Sequence, residues 1–319
     1  MEAMHTHPSD VRDWFARRTF TADDFSVDEL AERKEAAGLS VSVVLPARNE
    51  AETIRGVVEA VSGAGARLVD EVVLIDGGST DGTPDLAADG GARVHDDSAI
   101  LPELGPVLGK GDALWRSLTV TSGDLVVFID TDIRNPHPRF VWGLLAPLLT
   151  HDDALLVKAF YERPVQMESV LHPTGGGRVT ELCARPLLNA FWPQLAGLVQ
   201  PLSGEYAARR ELLESVPFFT GYGVELGLLV DTLACAGPGA IVQVDLVQRI
   251  HRNQSMDALS RMAFAIVQVA LQRLSQDGRV CLPDLPDAYV QFERREGSLH
   301  LNAQAIRVRE RPPLTSLQR

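Results

Sequence analysis

Acidic side chains follow several short apolar runs, at the points where those runs end. Asp76 ends one run, and Asp130 and Asp132 come directly after the apolar residues 125–129. Because the carboxyl ends of parallel strands meet at one edge of an open α/β sheet, we expect these carboxylates to lie close together. Two carboxylates at positions i and i+2 repel each other unless a cation lies beside them, and their hard oxygens suit Mg²⁺ or Mn²⁺. The Asp130-Thr131-Asp132 triplet therefore predicts a divalent metal that bridges a diphosphate.

A glycine-flanked lysine is the first candidate for phosphate binding. Lys110 stands between Gly109 and Gly111 at the start of a predicted helix. A P-loop interpretation fails, because Gly111 takes the position of the required Ser or Thr and no strand closely precedes the loop. A cation beside free backbone N–H groups at a helix start still suits a phosphate. Of the three lysines in the chain, Lys34 and Lys158 lack such a setting, so only Lys110 is assigned to the site.

A glycine-rich segment at residues 174–180 is the second candidate anion site. Its glycines, Gly177 among them, let the backbone approach a ligand closely, and the Arg178 guanidinium offers two parallel N–H donors. Thr180 adds a hydroxyl at the start of a helix predicted near Val179. A flexible loop with a capping threonine explains the same residues, so both interpretations stay open.

Two further groups of polar residues are candidates. Arg249, His251 and Asn253 end a strand predicted over residues 241–250, and alternation puts them on one face, where they suit a metal and an anion. Glu225 lies in the first turn of a helix predicted over residues 224–235. It would either stabilise the helix dipole or face a sugar hydroxyl.

The elements that must position these residues alternate along the chain. Predicted strands cover residues 41–45, 71–75, 92–95, 125–129, 154–160, 204–208 and 241–250. Predicted helices cover residues 27–37, 50–62, 83–89, 111–121, 224–235 and 255–274. This alternation predicts βαβ units and a mostly parallel sheet of the α/β class. The last helix carries an apolar stripe that indicates core or dimer packing: Met256, Leu259, Met262, Ile266, Ala270 and Leu274.

Composition excludes several classes of protein. The 319 residues carry a net charge of −13, which argues against a nucleic-acid partner that is bound through bulk positive charge. No apolar stretch is long enough for a transmembrane helix, and the N-terminal residues lack the apolar core of a signal peptide, so we expect no membrane partner. Three widely spaced cysteines without zinc-ligand spacing fit a reducing cytoplasm.

An ordered set of motifs covers roughly residues 39–256. In chain order they read VVLPARNEAETI, VVLIDGGSTDGT, GKGDALWRS, VVFIDTD, GGGRVTEL, GYGVELGLLVDT and HRN. This set resembles the retaining synthases of glucosyl-3-phosphoglycerate, which have the GT-A fold, a Rossmann-like nucleotide-binding fold with a mostly parallel sheet. Their mannosyl-3-phosphoglycerate relatives are similar.

The resemblance implies a metal-dependent hexosyltransferase that moves glucose from UDP-glucose to the 2-hydroxyl of 3-phosphoglycerate. The donor-binding residues that it implies are Pro46, Ala47, Glu50, Asp76, Gly77, Lys110, Asp130, Thr131 and Glu225. It further implies that Asp132 and His251 bind Mg²⁺ or Mn²⁺. Asp132, Glu225 and Lys110 are the expected catalytic residues. The expected acceptor-binding residues are Gly177, Arg178, Thr180, Arg249 and Asn253.

The same resemblance implies four segments and a homodimer. We expect an N-terminal helical extension at residues 1–38, a nucleotide-sugar-binding half at 39–160 and an acceptor-binding half at 161–255. A helical C-terminal segment with a tail, at residues 256–319, would supply dimer contacts.

The chain departs from the family pattern at a few positions. The family usually has Ser at the positions of Thr131 and Gly77, and Leu-Asp at those of Arg48-Asn49. The change at Thr131 barely alters the metal site, whereas loss of a hydroxyl at Gly77 predicts relaxed discrimination of the base or of the donor sugar.

The same residues fit several rival functions. The nearest is a mannosyl-3-phosphoglycerate synthase that uses GDP-mannose. A polyprenyl-phosphate glycosyltransferase would need a membrane-associating C-terminal segment, and a sugar nucleotidylyltransferase would need a different glycine-rich signature after the first strand. A nucleotide-sugar sensor without catalysis is the most distant rival.

Overall fold

The computed structural model of the protein describes residues 6–163, 165–167, 170–172, 177–250, 254–282, 285–295 and 297–317. The strands are β1 Thr19–Thr21, β2 Val41–Ala47, β3 Glu71–Asp76, β4 Arg93–Asp96, β5 Leu125–Phe128, β6 Leu156–Glu162, β7 Val165–Met167, β8 Val170–His172, β9 Tyr206–Arg209, β10 Phe218–Phe219, β11 Ile241–Gln248, β12 Ala288–Arg295, β13 Ser298–Ala305 and β14 Glu310–Arg311. The α-helices are α1 Pro8–Arg18, α2 Val27–Ala37, α3 Ile54–Ser62, α4 Thr83–Asp89, α5 Lys110–Ser117, α6 Arg139–Thr150, α7 Arg185–Phe191, α8 Arg210–Ser215, α9 Val224–Ala236 and α10 Met256–Gln276.

A central sheet organises the molecule, with eight strands among the described residues in the order β1-β11-β6-β9-β5-β2-β3-β4. Every pair in it is parallel except those of β9, which runs antiparallel to both β5 and β6. The mostly parallel α/β sheet is therefore confirmed. Strands from residues 1–38, 39–160 and 161–255 all join this one sheet, and the division of the chain into four segments stays a prediction.

The sheet is covered by helices on both faces, as a buried parallel sheet requires. Along β2, Val44 points into a core that contains α5, α9 and the C-terminal part of α10, while Val43 and Leu45 point into the opposite core with α3 and α6. Alternate side chains of each strand thus anchor opposite layers. Among the described helices, none is long and apolar enough to cross a membrane.

Several predicted boundaries move, each for a local reason. The helix predicted from residue 50 begins at Ile54, because the carbonyl of Glu50 accepts hydrogen bonds from the Thr53 and Ile54 amides within a preceding turn. The strand predicted to residue 250 ends at Gln248 after a bulge, in which Val247 has φ 75°. Arg249 therefore lies in the loop beyond β11, and strict alternation does not decide where its side chain points.

Three helices and a C-terminal hairpin escape the sequence pattern. The three helices are α1, α6 and α8. Helix α6 is apolar nearly all round and contains Pro147, so it lacks both a polar face and ordinary helix composition. Strands β12 and β13 pair in register as an antiparallel hairpin within the segment that was expected to hold a helix and a tail.

Candidate active site

A cleft of about 740 Å³ opens at the carboxyl ends of β2, β3 and β5. It is lined by thirteen residues to which the sequence assigns a role: Pro46, Ala47, Glu50, Gly77, Lys110, Asp130, Thr131, Asp132, Gly177, Arg178, Thr180, Glu225 and Arg249. Asp76 is buried next to Gly77. His251 and Asn253 lie outside the described residues. The fold therefore brings residues from both halves of the chain into one space, and their individual roles stay predictions.

One carboxylate at the end of β3 is held ready for a ligand. The Gly78 and Ser79 amides donate to Asp76 Oδ2 at 3.1 and 3.0 Å, which fixes the side chain. Asp76 Oδ1 is buried and has no hydrogen-bond partner among the described residues. A buried acceptor without a partner costs free energy, so this atom is suited to a ligand hydroxyl or N–H group.

Thr131 supports the triplet that follows β5. Its hydroxyl donates to the carbonyl of Pro46 at 2.8 Å, and its own carbonyl accepts from Thr53 Oγ1 at 2.6 Å. With the side chain nearly buried, the hydroxyl ties the end of β5 to the end of β2. The two flanking aspartates are thereby held on a rigid strand end.

Lys110 joins two carboxylates at the centre of the cleft. Its Nζ lies 2.6 Å from Asp130 Oδ1 and 3.0 Å from Glu225 Oε1. Burial disfavours the charged amine, but these two carboxylates outweigh that effect and raise the pKa of Lys110 well above its usual value. For Asp130, burial is likewise outweighed by Lys110 and Arg249, and its pKa falls to about 2. Both groups are therefore charged at neutral pH.

The glycines beside Lys110 have a packing role. Gly109 precedes α5 with φ 81°. A Cβ on Gly111 would lie 2.0 Å from the carbonyl oxygen of Phe219. The start of α5 can thus lie directly against the segment that leads into α9, which brings Lys110 to Glu225.

Arg249 bridges the two aspartates of the triplet. Its Nη2 donates to Asp132 Oδ1 at 2.7 Å and to Asp130 Oδ2 at 3.1 Å. Burial raises the pKa of Asp132, and the charge of Asp130 adds to that effect, whereas Arg249 lowers it. The Asp132 side chain remains 29 % exposed. Asp132 is therefore a partly open carboxylate in surroundings that favour a further cation.

The donor atoms fit a divalent cation that is shared with a ligand. Among the described residues, no group of three or more His, Cys, Asp or Glu could hold a metal by itself. Mg²⁺ in nucleotide sites commonly takes one or two carboxylates and completes its shell with phosphate oxygens and water. One carboxylate from Asp132, with His251 outside the described residues, is compatible with that pattern.

The opposite end of the cleft is basic. Gly177 has φ 77°, a left-handed conformation that suits glycine, and Arg178 follows it at the start of a helical turn. Arg178 Nη2 donates to the carbonyl of Gln254 at 3.2 Å, so the glycine-rich segment contacts the start of α10. Thr180 is buried and opens a π-helix, Thr180–Ala184, that leads into α7.

The sequence pattern missed an inner group of polar residues behind Arg249. Glu205 Oε1 lies 2.9 Å from Arg249 Nε as an ion pair, and Glu205 is completely buried. The Tyr161 hydroxyl donates to Glu205 Oε2, the Ser203 hydroxyl lies 3.2 Å from the same atom, and Arg163 donates to the Tyr161 hydroxyl at 3.0 Å. The contacts of Glu205 with Arg249 and with Tyr161 join residues that are distant in sequence, so spacing alone carries no signal for them.

One missed residue did carry a signal. Gly204 lies against the ion pair, where a Cβ would be 2.2 Å from Asp130 Oδ2 and 2.6 Å from Lys110 Nζ. A glycine at the edge of a predicted strand often marks such a close approach. Lys158, without a role in the sequence-based prediction, is buried nearby: its Nζ donates to the carbonyl of Ser203 and lies 4.6 Å from the centre of the Tyr206 ring.

The apolar stripe of α10 has two uses. Ile266, Ala270 and Leu274 are buried in the core, as expected. Leu259 and Met262 line the cleft together with Ile266, so the interpretation as core or dimer packing is incomplete for this half of the helix.

Comparisons with known proteins agree with this arrangement. The family described as Glycosyl transferase family 2 matches residues 42–188. A glucosyl-3-phosphoglycerate synthase from Petrotoga mobilis is 43% identical over 312 residues, 96% of each chain. The crystal structure of mannosyl-3-phosphoglycerate synthase from Rubrobacter xylanophilus superposes with a TM-score of 0.89 at 40% identity, over 98% of this chain and 100% of that chain. A structure of the Mycobacterium tuberculosis glucosyl-3-phosphoglycerate synthase, in complex with Mn²⁺, UDP-glucose and phosphoglyceric acid, gives 0.79 at 48% identity, over 91% and 95%.

Proposed function

Since the chain belongs to the glucosyl-3-phosphoglycerate synthase family, we propose that it transfers glucose from UDP-glucose to the 2-hydroxyl of 3-phosphoglycerate with retention of the α configuration. The observation that carries the proposal is a single cleft that joins the Asp130–Asp132 carboxylates to the basic residues Arg178 and Arg249. Both substrates are anions. A metal at Asp132 would hold the diphosphate of one, and the Arg178 guanidinium would hold the phosphate of the other.

The donor half of the proposal rests on the ends of β2 and β3. Pro46, Ala47 and Gly77 form a wall on which the base and ribose lie, and Glu50 stands at the same end of the cleft. The free Oδ1 of Asp76 accepts from the nucleoside. Asp130 contacts the ribose, since Lys110 and Arg249 keep it ionised as a hydrogen-bond acceptor.

The metal half of the proposal rests on Asp132. Asp132 and His251 would hold Mg²⁺ or Mn²⁺, which would supply Lewis-acid neutralisation of the diphosphate. Relatives support this choice, because the M. tuberculosis enzyme was crystallised with Mn²⁺ and UDP-glucose, and in another crystal with Mg²⁺ and UDP.

The acceptor half rests on the basic end. Arg178 binds the phosphate of 3-phosphoglycerate through its paired N–H groups, with Gly177 and Thr180 around it. Arg249 and Asn253 hold the carboxylate. Arg178 gives up its contacts with the Gln254 carbonyl and with Met256 Sδ to do so, which costs little because both are exposed hydrogen bonds.

In this mechanism the chain's own groups position the reactants, and the acceptor hydroxyl is the nucleophile. Glu225, oriented by Lys110, accepts a hydrogen bond from a hydroxyl of the donor glucose. The acceptor hydroxyl attacks the anomeric carbon from the face on which the diphosphate departs. The new C–O bond forms as the bond to the diphosphate breaks, and the hydroxyl proton passes to the leaving oxygen, which gives UDP and retention.

A homodimer is part of the proposal, and the C-terminal hairpin provides its surface. Val290 and Phe292 on β12, with Leu299 and Leu301 on β13, share one face of the hairpin and are between 48 and 66 % exposed. The other face packs inward, where the Tyr289 ring lies 5.1 Å from the Phe264 ring, tilted by 37°. An apolar outer face suits a second copy of the chain. The proposal also assigns the enzyme to the cytoplasm, in keeping with its three free cysteines.

Turnover of two donors tests the proposal. Purified protein is incubated with 3-phosphoglycerate, Mg²⁺ and either UDP-glucose or GDP-mannose, and the product mass is recorded. We expect a glucosyl product from UDP-glucose at a higher kcat/KM than the mannosyl product from GDP-mannose. A preference for GDP-mannose would favour the mannosyl rival, which the Rubrobacter structure makes the specific alternative.

A further inference from the structure

Helix α5 carries the Lys110 amine, yet it begins without a capping side chain of the usual kind. It has eight residues, and its N-cap residue is Gly109, which has no side chain to accept a hydrogen bond from the first turn. An isolated helix of this length is marginal in water, so its first turn depends on contacts with the rest of the chain. The position of Lys110 beside Asp130 and Glu225 therefore depends on what holds that turn.

A buried carboxylate in the first turn of α5 provides part of that hold. Asp112 is completely buried, and its Oδ2 accepts from the Leu108 amide at 2.9 Å, which fixes the loop just before the helix. Its Oδ1 accepts from Arg116 Nε at 3.3 Å, one turn further along α5. A buried carboxylate is costly unless it is paired with a cation and hydrogen-bonded. The geometry of the first turn thus depends on the cations around Asp112.

The better aligned of these cations comes from the C-terminal part of the chain. Arg311 Nε donates to Asp112 Oδ1 at 2.8 Å, and Arg311 Nη2 donates to Asp112 Oδ2 at 2.7 Å. The Arg311 side chain is 15 % exposed. Paired N–H donors of this kind fix the direction of a carboxylate as well as its distance. Arg311 therefore holds a carboxylate on the same helical turn as Lys110.

Arg311 is itself fixed to the segment that leads to Glu225. Strand β14 pairs with β10, and Arg311 lies opposite Phe218. The Thr220 amide donates to the carbonyl of Arg309 at 2.8 Å, and the Arg309 amide donates to Thr220 Oγ1 at 2.9 Å. The C-terminal segment is thus attached to the chain just before the turn that opens α9.

The same C-terminal segment is also attached to α5 by a second contact. Trp115 Nε1 donates to the carbonyl of Pro312 at 2.9 Å, and the Trp115 side chain is completely buried. Residues 309–312 therefore join α5, which carries Lys110, to the segment before α9, which carries Glu225.

Asp112 is completely buried, so a role of this pair in the reaction has to pass through its neighbours in α5. We propose that Arg311 is a positioning residue for the proposed sugar transfer, because through Asp112 it fixes the place of the Lys110 amine in the cleft. When the first turn of α5 loosens, Lys110 is held less precisely between Asp130 and Glu225. The role of Arg311 rests on the proposed function for the identity of the donor.

Matched substitutions of two arginines test this role. Arg311→Lys keeps the positive charge, but an ammonium group cannot reproduce the paired N–H donors on Asp112. Arg307→Lys is the control, because Arg307 binds Asp287 through Nε and Nη2 in the same C-terminal segment, on the surface and away from α5. Calorimetry with UDP-glucose and Mg²⁺, without acceptor, gives the affinity and the binding-competent fraction separately. Steady-state kinetics give kcat and the KM for each substrate.

We expect Arg311→Lys to lower kcat/KM for UDP-glucose by about 10–100-fold, with weaker UDP-glucose binding at an unchanged stoichiometry. The KM for 3-phosphoglycerate should stay unchanged, since the expected acceptor-binding residues lie outside α5. Arg307→Lys should match the unchanged chain in all of these values. A merely structural role would reduce stoichiometry and kcat in equal proportion and leave the affinity and both KM values unchanged, and that result would overturn the proposal.

A second background tests whether Arg311 acts through Lys110. Lys110→Ala removes the amine that Arg311 positions, so adding Arg311→Lys should weaken UDP-glucose binding further by less than about twofold, because substitutions in one network are not additive. Equal losses of affinity in the two backgrounds would contradict the route through Lys110. If Arg311→Lys yields no folded protein, Arg311→Gln takes its place, since its amide retains N–H donors for Asp112.

The outcomes separate the role of Arg311 from the proposed function. UDP-glucose binding without a product from 3-phosphoglycerate would refute the proposed transfer, and the affinities of the variants would still decide the role of Arg311. Glucosyl transfer by the unchanged chain, with unaltered values in Arg311→Lys, would overturn the role of Arg311 alone. If GDP-mannose is the donor that binds, the same affinities are compared with GDP-mannose.

Discussion

Charges of opposite sign alternate across the floor of the cleft, from Glu205 through Arg249 and Asp130 to Lys110 and Glu225. Each link is 2.6 to 3.1 Å long and partly or fully buried, so each charge is stabilised chiefly by its neighbours. A substitution of Glu205, at the inner end of this series of ion pairs, should therefore affect residues that contact the substrate.

Glu205→Gln tests whether the charge of Glu205 affects substrate and metal binding through Arg249. The amide keeps the volume of Glu205 but removes the charge that faces Arg249 Nε, so Arg249 is held less firmly between the aspartates. By analogy with residues that orient metal ligands, we expect kcat/KM to fall about 10–100-fold, with a rise in the metal concentration needed for half-maximal rate. Steady-state kinetics and metal titrations measure both effects.

The control is Glu214→Gln, which removes a carboxylate from an (i, i+4) pair with Arg210 outside the cleft. It should leave kinetics unchanged. Full activity and unchanged metal dependence in Glu205→Gln would show that Arg249 does not need this partner.

Residue spacing predicted the outer site and missed its support for a physical reason. Asp76, Asp130 and Asp132 could be predicted because strand ends in a parallel sheet share an edge. Glu205 and Tyr161 could not, because they meet Arg249 only once β6, β9 and β11 lie together. Local sequence contains no trace of such long-range pairing.

At the scale of elements, the segment that leads into β9 forms the floor on which the Lys110–Asp130 pair rests. Gly204→Ala should break that pair, since the new Cβ would overlap the Asp130 carboxylate. Overpacking of this kind usually costs about 1–3 kcal/mol of stability. We expect a folded enzyme with a raised KM for UDP-glucose and a kcat lowered at least about tenfold.

Gly239→Ala is the matched control for this variant, because its Cβ would meet only Arg18 Nη2 at an ordinary 3.6 Å. Kinetics and thermal unfolding of both variants measure the effect. Equal kinetics in the two would mean that the floor tolerates a side chain and that the close approach has no part in donor binding.

Lys158 on β6 predicts a pH-dependent stability. Burial is the main reason that its pKa falls from 10.5 to about 8. A folded state that binds fewer protons than the unfolded state gains stability as pH rises, here between about pH 8 and 10.5. Each pKa unit corresponds to about 1.4 kcal/mol, so the gain for this group is about 3 kcal/mol.

Lys158→Met removes the titrating amine and should abolish that gain. As the pH rises from 8 to 10, the unchanged chain should therefore gain unfolding free energy relative to Lys158→Met. Urea unfolding of both proteins at each pH measures this difference. A difference that stays constant with pH would mean that the amine titrates normally in the folded protein.

Helices and strands were predicted unevenly, and composition explains the difference. The strands that carry the site, such as β2 and β5, contain short apolar runs rich in valine, which predict a buried strand directly. Helix α6 was missed because it is apolar on all sides and contains Pro147. The hairpin of β12 and β13 was missed, although its apolar and polar residues alternate with the period of a strand, because this segment was assigned to a helix and a tail.

At the scale of the whole molecule, the hairpin predicts self-association. Phe292→Glu combined with Leu301→Glu puts two charges on its outer face, where these residues are cross-strand neighbours. We expect the double variant to sediment as a monomer and the unchanged chain as a dimer. Gln304→Glu, on the opposite face, should remain dimeric, and a dimer that survives the double substitution would place the interface elsewhere.

The net charge of the whole molecule does not predict which ligands the cleft binds. The surplus of acid, with a net charge of −13, still argues against nucleic acid, yet the proposed ligands are two anions. Lys110 and Arg249 are each paired with carboxylates, Arg178 lies at the basic end of the cleft, and the carboxylate of Asp132 recruits a further cation. Local arrangement, more than net charge, therefore decides what this acidic protein binds.

The central claim is a metal-dependent, retaining transfer of glucose, and one measurement tests it most directly. Proton NMR follows the anomeric signal of the product from UDP-glucose and 3-phosphoglycerate, with Mg²⁺ and with EDTA, for the unchanged chain and for Asp132→Ala. We predict an α-linked product with the unchanged chain in Mg²⁺, and almost none with EDTA or with Asp132→Ala. A β-linked product, or full turnover by Asp132→Ala in Mg²⁺, would contradict the account.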